Sequence, residues 1–339
     1  MSSAPSEKEI WFVYDGECPL CKSAALALRI KEDYGTLHLI NAREANENSL
    51  IEKINENQLD LDEGMVIYDG SQFYHGKDAL KFMARYGENK GVFNLVNKAL
   101  YWSDTMARII YPWMRGTRNM LLRRKDVSRI DNLNLKDEPI FKSIFGNSWD
   151  ELPPVMHKHY ANRPYTDDEV VVEGTLNVMC KPPLKWLAPF MRLTGQIPAR
   201  NEENVPVTVR FKSDKNSKAF HFVRSFYFKD NAPYIFHSRM MQIKGNEVIE
   251  VMRFGLGWKM LYLWEDGKVI LKHSGYALHL FGRFIPVPLT LLMGRGYAEE
   301  IAVDENTFDM ITHITHPWWG KIYEYKGRFE VKEMARVTQ

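Results

Sequence analysis

The chain has 339 residues and a formal net charge of +2, with 45 basic and 43 acidic side chains spread along its length. This balance argues against a general nucleic-acid binder. Its 3 cysteines are too few for a secreted disulfide scaffold, so we expect a reducing compartment. The polar start at residues 1–8 lacks the features of a signal peptide, and no apolar run approaches the roughly 20 residues of a membrane-spanning helix. We therefore predict a cytoplasmic chain of two domains with no nucleic-acid partner.

Residues 1–90 alternate short apolar runs with helical patterns. Asp69-Gly70 stands between two aromatic-rich runs and predicts a tight hairpin turn. The predicted elements, in chain order, are a strand at 10–14, a helix at 20–31, a strand at 37–40, a helix at 44–57, hairpin strands at 65–68 and 72–74, and a helix at 77–86. This order is that of a thioredoxin-like domain.

Residues 92–125 have a helical pattern, interrupted in our prediction by Pro112 and Gly116. The pattern ends in a basic cluster, formed by Arg115, Arg118, Arg123, Arg124, Lys125 and Arg129. One interpretation is peripheral membrane contact through residues 109–129. We favour the other, in which the apolar face packs on a domain while the arginines stay in water.

The pattern changes after residues 126–139, which are polar and predict an interdomain linker. Residues 140–160, 184–193 and 289–293 have helical patterns, and the rest is rich in strand patterns. Strands are predicted at 205–211, 220–228, 235–243, 248–254, 258–264, 269–273, 297–303, 308–315 and 321–325. Many short antiparallel strands at this spacing indicate a barrel or a half-closed sheet with inserted helices.

The predicted fold class is therefore α+β with two domains. Residues 1–125 form a thioredoxin-like α/β domain with extra C-terminal helices that carry the basic cluster. Residues 140–339 form a mostly antiparallel β domain, and residues 126–139 connect the two.

The clearest candidate for a reactive site is Cys18-Pro19-Leu20-Cys21, which follows the first predicted strand and begins the first predicted helix. A thiolate is the form that attacks a disulfide, and a helix N-terminus favours a negative sulfur. Lys22 adds positive charge nearby. We predict Cys18 as the nucleophile and Cys21 as the thiol that resolves the mixed disulfide.

Asp15 precedes this pair, and two roles remain open for it. It could accept a proton from Cys21, or it could cap the loop through backbone N–H groups. The alternatives for the cysteines themselves are a metal site, which needs two more ligands, and an inert buried pair. We predict neither a metal nor a cofactor for this chain.

The stretch from Tyr14 to Cys21 resembles the signature of the DCC family of thiol-disulfide oxidoreductases, named for an Asp and two Cys. Asp15, Cys18 and Cys21 match those three residues. The hairpin at 64–70 and the following Gly76-Lys77-Asp78-Ala79-Leu80 are also similar to that family, so the resemblance covers about residues 10–125. It implies a thioredoxin-like fold and a redox activity.

The sequence departs from thioredoxins at one point near this motif. Thioredoxins carry a cis-proline before the third strand, whereas no proline occurs here between Pro19 and Pro112. Gly64-Met65 stands in the expected place. We therefore expect a small thiol or disulfide substrate, or a dedicated protein partner, rather than general protein disulfides.

Four cationic side chains fall within otherwise apolar strand patterns of the second half, namely Arg224, His237, Arg239 and Arg253. A buried charge is costly unless it is paired or meets a ligand. One hypothesis is an anionic or hydrophobic ligand inside the β domain. The alternative, which we favour, places these side chains on the solvent face or in pairs with Glu250 or Glu173.

The second half is also similar to a bacterial domain family of unknown function that occurs with saccharopine-dehydrogenase-like proteins. Gly294-Arg295-Gly296 and residues 308–325 carry this resemblance, which covers about residues 140–329. It implies an accessory domain of redox enzymes. Our function hypothesis is a thiol-disulfide oxidoreductase with an accessory binding domain, and the alternative is a non-catalytic ligand-binding protein whose thioredoxin-like domain is an adaptor or redox sensor.

Overall fold

The computed structural model describes residues 8–27, 35–45, 48–87, 92–101, 103–193, 195–229, 232–280 and 283–335. The chain divides into two compact units between residues 134 and 135. Among the described residues, no helix is long and apolar enough to cross a lipid bilayer.

The first unit is built on a four-stranded sheet. Its strands are β1 (Glu9–Tyr14), β2 (Thr36–Asn41), β3 (Val66–Tyr68) and β4 (Phe73–His75), in the order β2-β1-β3-β4. β1 pairs parallel with β2 and antiparallel with β3. Its helices are α1 (Pro19–Ala27), α2 (Ser49–Glu56), α3 (Lys77–Tyr86), α4 (Val92–Tyr101) and α5 (Asp104–Arg124). The predicted thioredoxin-like order is confirmed, and residues 28–31 of the predicted first helix lie outside the described residues.

Both faces of this sheet are covered. Ile10 and Phe12 of β1 point to the face where α1 and α3 pack, and Val13 points to the face of α2. α2 is amphipathic, since Leu50 and Ile54 stand one turn apart on its buried side. A strand buried on both faces is a rigid support for the loop that follows it, and in this unit that loop leads to the two cysteines.

The break in the predicted helical stretch 92–125 lies elsewhere than we expected. Pro112 and Gly116 both lie inside α5, and α5 begins after Ser103, whose hydroxyl accepts a hydrogen bond from the Met106 N–H at 3.2 Å. A serine at this position caps a helix by satisfying one of its free N–H groups. The prediction of a break at Pro112 is wrong because α5 accommodates the proline within its length.

The second unit is a closed antiparallel barrel of ten strands, with an eleventh strand added to one wall. Its strands are β5 (Glu169–Cys180), β6 (Glu202–Ser213), β7 (Phe220–Phe226), β8 (Tyr234–Lys244), β9 (Glu247–Val251), β10 (Leu256–Glu265), β11 (Lys268–Leu280), β12 (Arg283–Val287), β13 (Arg295–Ala302), β14 (Thr307–His316) and β15 (Gly320–Ala335). Pairing of β10 with β11 closes the sheet, and β12 extends it by pairing with β11. Of the two arrangements considered, the barrel is the one observed.

Short helices accompany the barrel. They are α6 (Ile140–Phe145), α7 (Pro154–His159), α8 (Ala188–Leu193) and α9 (Thr290–Met293), with 3-10 turns at Gly146–Glu151, Leu184–Leu187 and Arg253–Gly255. The helical pattern predicted over 140–160 is interrupted at Gly146, whose φ is +55°, and at Pro153, which precedes α7. Both inserted helical segments, at 184–193 and 289–293, are confirmed.

Strands β5 and β12 were not among the predicted strands, and β15 is longer than predicted. β5 pairs with β15 along its whole length. Gly174 and Gly327 permit this close pairing of the two strands. A Cβ atom on Gly174 would lie 2.1 Å from the Arg328 carbonyl oxygen, and one on Gly327 would lie 1.8 Å from the Thr175 carbonyl oxygen. Glycines inside a strand weaken the sequence pattern while allowing two backbones to approach closely.

The antiparallel order sends alternate connections to opposite ends of the barrel. The links β5–β6, β7–β8, β9–β10, β11–β13 and β14–β15 lie at one end, which we name the α8 end after the helix it contains. The opposite end, named the α7 end, carries the links β6–β7, β8–β9, β10–β11 and β13–β14. Between them the barrel is filled mainly by aromatic and aliphatic side chains.

Candidate functional site

Cys18 and Cys21 lie at the start of α1, directly after β1 and its loop. Cys18 immediately precedes the first helical residue, Pro19, and its Sγ accepts a hydrogen bond from the Cys21 backbone N–H at 3.1 Å. The sulfur thus takes the place of an N-cap oxygen and receives one of the N–H groups that a first helical turn leaves without partners. Pro19 has no N–H group, but no hydrogen bond is lost, because the N–H of the first helical residue has no partner within the helix. Both cysteines are free thiols and are buried.

The two thiols differ in acidity. The pKa of Cys18 is lowered to about 6, chiefly because the Cys21 thiol donates a hydrogen bond to its sulfur, although burial opposes this. The Cys21 N–H and the positive charge of Arg118 lower it further. The pKa of Cys21 is raised, because its proton is shared with Cys18 and burial disfavours its charged form. At neutral pH this arrangement makes Cys18 the thiolate and Cys21 the thiol.

Asp15 is buried in the loop before Cys18 and is held by two arginines. Arg43 Nε donates a hydrogen bond to Oδ1 at 2.6 Å, Arg118 Nη2 donates to Oδ2 at 3.0 Å, and the Glu17 N–H donates to Oδ1 at 3.0 Å. Burial acts to raise the pKa of Asp15, but these hydrogen bonds and charges bring it below its usual value. A carboxylate so weakly basic is a poor proton acceptor, and the contacts of Asp15 are those of the loop cap.

Arg118, like Arg43, is a site residue that sequence reasoning missed. It lies on α5, 103 residues from Asp15, and its side chain is buried against the loop before the two cysteines. It also donates a hydrogen bond to the Asp62 carbonyl, and within the described part of the chain its Nε has no hydrogen-bond acceptor. A signal was present, because Arg118 falls on the same helix face as Ala107 and Leu122, the other buried residues of α5.

Lys22, predicted to add positive charge near Cys18, has an exposed side chain. Arg118 is the cation among the main causes of the lowered pKa of Cys18. The interpretation of the basic cluster needs correction, since its arginines do not all stay in water. Arg115 pairs with Glu63 at 2.9 Å, and Arg129 pairs with Asp62 at 3.2 Å, whereas Arg123 and its neighbours at 124–125 are exposed. Two ion pairs of the cluster therefore connect α5 and the segment after it to the residues before β3.

A cavity of about 140 Å³ lies beside Cys21 and is comparable in size to cavities that hold a benzene-sized molecule. It is bounded by α1, α3, α4, α5 and the segment before β3, and its wall is mainly apolar. The apolar lining residues are Leu20, Ala24, Met65, Leu80, Val96, Leu100, Tyr101, Tyr111 and Met114. The polar ones are Cys21, Glu63, Asn97, Arg115 and Arg118.

Gly64-Met65 precedes β3, at the place where thioredoxins carry a cis-proline. The Tyr111 hydroxyl donates a hydrogen bond to the Glu63 carbonyl at 2.8 Å and packs over this segment. A Cβ atom on Gly64 would lie 2.6 Å from that hydroxyl, and one on Gly76 would lie 2.5 Å from it. The two glycines therefore let α5 approach the segment closely, and a tyrosine from α5 occupies the space above it.

Arg224 is the one predicted binding residue that points into the barrel. Its Nη1 donates hydrogen bonds to Glu250 Oε1 at 2.8 Å and to Ser238 Oγ at 3.0 Å. The guanidinium also lies over the rings of Phe222 and Phe236, at 4.5 Å and 4.9 Å from their centroids. The pairing with Glu250 considered from the sequence is therefore observed.

The other three predicted binding residues do not point into the barrel. His237 and Arg253 are exposed, and Arg239 is half-buried on the outer face of β8, where it donates to Ser217 Oγ at 3.4 Å. The inward side chains of β8 are instead Phe236 and Ser238, together with the next alternate residue, Met240. The four side chains therefore lie as in the interpretation that we favoured from the sequence, with three on the outside of the sheet and Arg224 paired with Glu250.

Two interior cavities of about 50 Å³ and 80 Å³ adjoin the Arg224–Glu250 pair. Cys180 lies in the wall of the same barrel, and burial raises its pKa to about 11. It is thus a core cysteine that stays a thiol at neutral pH. Across the described residues, no three His, Cys, Asp or Glu side chains are grouped to hold a metal ion.

Two family models match the chain. The model described as DCC1-like thiol-disulfide oxidoreductase matches residues 12–124. The model described as domain of unknown function, DUF4166, matches residues 152–329, which is more than half of the 339 residues. The chain belongs to the DUF4166 family. Both resemblances seen in the sequence are confirmed, and the first supports a redox-type role for the N-terminal unit of this DUF4166 protein.

Solved structures share only remote similarity with the chain. The S-type phycobiliprotein lyase CPES from Guillardia theta is 6% identical, with a TM-score of 0.27, over 50% of this chain and 89% of its own. Rv2717c from M. tuberculosis is 8% identical, with a TM-score of 0.29, over 56% of this chain and 99% of its own. At these scores neither supports an inference about function. No curated protein matches the chain.

Alkylation of Cys18 is expected to follow its ionisation, because the thiolate is the reactive form. With a pKa of about 6, the thiolate is present above that pH and is lost below it. The rate should therefore rise through pH 6 and level off, whereas an ordinary cysteine titrates near about 8.5. Mass spectrometry of iodoacetamide-labelled peptides across pH measures this. Cys180, whose pKa is raised to about 11, is the internal control that should stay largely unlabelled over the same pH range. A midpoint near that of an ordinary cysteine would contradict an activated Cys18.

Replacing Arg118 by methionine is expected to shift that alkylation midpoint upward. The change removes a cation close to both sulfurs, and such a charge typically lowers a pKa by about one or more. Arg118→Lys should restore part of the effect. Arg115→Met is the matched control, because Arg115 lies one turn earlier on α5 and pairs with Glu63 instead. An unchanged midpoint in Arg118→Met would show that Arg118 does not act on Cys18.

Proposed function

We propose that the N-terminal unit is a thiol-disulfide oxidoreductase for small disulfides or thiols, with Cys18 as nucleophile and Cys21 as resolving thiol. The observation that carries the proposal is the acidic Cys18 thiol at the start of α1, hydrogen-bonded by Cys21 and close to the charge of Arg118. The match to the DCC1-like family supports the same type of chemistry. We also propose the cytoplasm as the compartment, since thiol pools there keep such a pair reduced.

The proposed exchange has two steps. The Cys18 thiolate attacks a substrate disulfide, one sulfur–sulfur bond breaks, and the first substrate thiolate leaves as Cys18 becomes part of a mixed disulfide. Cys21 then loses its proton and attacks the Cys18 sulfur, which releases the second substrate thiolate and forms the Cys18–Cys21 disulfide. Two electrons pass from the cysteine pair to the substrate, and the reverse sequence oxidises a substrate dithiol.

The cavity beside Cys21 supports a small substrate with an apolar or aromatic group. Its volume of about 140 Å³ suits one ring, and its wall is mainly apolar. Arg118 Nε, which has no acceptor among the described residues, is a buried donor on the same wall. Cys18 itself has no exposed surface, so attack requires movement of the groups that cover it.

The test compares turnover of a small aromatic disulfide with turnover of insulin, with glutathione as electron donor. We expect the small disulfide to be reduced much faster. Leu100→Trp fills the cavity and should lower kcat/KM for the aromatic substrate by about tenfold or more. Leu95→Trp, on the exposed side of the same helix, is the control and should have no effect. Preferred reduction of insulin would contradict the proposed substrate class.

A ligand-carrier role for the barrel has weaker support. Arg224 is already paired with Glu250, and the neighbouring cavities of about 50 Å³ and 80 Å³ are smaller than the roughly 150 Å³ that accommodates benzene.

A further inference from the structure

The two ends of the barrel differ strongly in polarity. Among the described residues of the second unit, the exposed large apolar side chains lie on the α8 end or on strand residues next to it, except Ile243 and Val303. The most exposed are Trp186 at 75%, Trp318 at 70%, Leu193 at 68% and Phe254 at 67%. They come from three separate connections, β5–β6, β9–β10 and β14–β15. An apolar patch of this kind on a protein surface marks an interaction site.

The charged side chains at the α8 end are mainly basic. In the sequence, the connections at the α8 end contain one acidic residue, Asp230, whereas they include the exposed cations Lys181, Lys185, Arg192 and Arg253. The connections at the α7 end instead carry acidic residues, among them Asp304. The basic character therefore belongs to the apolar end specifically and does not follow from the whole chain, whose net charge is near zero.

We propose that the α8 end docks on the surface of a lipid bilayer that contains anionic lipids. Tryptophan, phenylalanine and leucine beside lysine and arginine is the composition of segments that lie in the membrane interface. The long basic side chains reach the headgroups while the apolar ones enter the acyl boundary. Several separate connections contribute side chains at the same end, which suits a broad flat surface better than a peptide in a groove. This surface is distinct from residues 109–129, which belong to the first unit.

The test is co-sedimentation of the full chain with vesicles of phosphatidylcholine alone and of phosphatidylcholine mixed with phosphatidylglycerol. We expect binding to the anionic vesicles, weakened by salt, and little binding to the neutral ones. Quenching of tryptophan fluorescence by brominated lipids should accompany binding, since Trp186 and Trp318 enter the interface. Absence of vesicle binding, or binding without quenching, would overturn the proposal.

Two variants and two matched controls locate the surface. Lys185→Glu with Arg192→Glu should weaken binding to anionic vesicles by about tenfold or more, as expected for cations removed from an anionic surface. Trp186→Ser with Leu193→Ser should abolish the tight binding. The charge control is Lys244→Glu with Lys326→Glu, and the apolar control is Ile243→Ser with Val303→Ser, all exposed residues away from the α8 end.

Both controls should bind like the wild type. Equal binding by the α8-end variants would overturn the proposal. So would self-association through this surface in the absence of vesicles, because the apolar side chains would then be covered by a second copy of the chain. Since the altered side chains are exposed, the variants are expected to keep the wild-type circular dichroism spectrum.

Discussion

Replacing Cys18 by serine is expected to abolish thiol-disulfide exchange, whereas replacing Cys21 by serine should stop it one step later. Without Cys18 no thiolate of lowered pKa remains, so turnover should fall by about three orders of magnitude or more. Without Cys21 the Cys18 thiolate still attacks, but nothing resolves the mixed disulfide. Intact mass after incubation with a small disulfide should show one trapped substrate half on Cys21→Ser and none on Cys18→Ser.

Cys180→Ala provides the control for that experiment. Cys180 lies in the barrel wall with a pKa raised to about 11, so its removal should leave both turnover and trapping unchanged. The opposite pattern, with trapping on Cys18→Ser and none on Cys21→Ser, would exchange the roles of the two cysteines. The cavity borders Cys21 rather than Cys18, so this outcome would mean that Cys21 attacks a substrate bound in the cavity.

Removal of Arg224 is expected to cause the largest loss of stability in the barrel. In Arg224→Leu the buried Glu250 carboxylate keeps one hydrogen-bond donor among the described residues, Ser238. Breaking a buried ion pair in this way lowers the free energy of unfolding by about 3–5 kcal/mol. The double variant Arg224→Leu with Glu250→Leu should recover much of this loss, since replacing both partners leaves no unpaired charge. Urea unfolding followed by circular dichroism measures the change.

The control for Arg224 is Arg328→Leu. Arg328 pairs with Asp309 at 2.7 Å on the outside of the same sheet, and both side chains are exposed. An exposed pair contributes little, so this variant should unfold at the same urea concentration as the wild type. Equal stability of Arg224→Leu and Arg328→Leu would show that the Arg224–Glu250 pair is not shielded from water.

The first unit could be predicted well from sequence because its signals are local. Several strands and helices of the thioredoxin-like part are bounded by a local turn or cap, such as Asn48 before α2 and Asp69-Gly70 before β4. The dithiol was also visible, since the sulfur positions depend only on the residues around the start of α1. Arg118 was not, because its contact with Asp15 spans 103 residues and depends on how α5 packs. Long-range packing of this kind leaves only a weak trace in helix periodicity.

The second unit shows where alternation alone is insufficient. Residues 235–243 alternate in two registers, with Ile235, His237 and Arg239 on one face and Phe236 and Ser238 on the other. An alternation with a period of two shows that a strand has two different faces, but it does not show which face is inside. A shift of the register by one residue exchanges the two faces. The structure places the second set inside. This is why the sequence pattern alone left open whether His237 and Arg239 lie inside the barrel or on its outer surface.

The most direct test of the central claim is a redox titration of the purified protein in glutathione buffers, with free thiols counted by mass after alkylation. The proposed dithiol centre predicts a reversible two-electron transition between roughly −270 and −120 mV, the range of thioredoxin-like proteins. The transition should be absent from Cys18→Ser. A wild-type protein that keeps both thiols reduced across this window would contradict a redox-active Cys18–Cys21 pair.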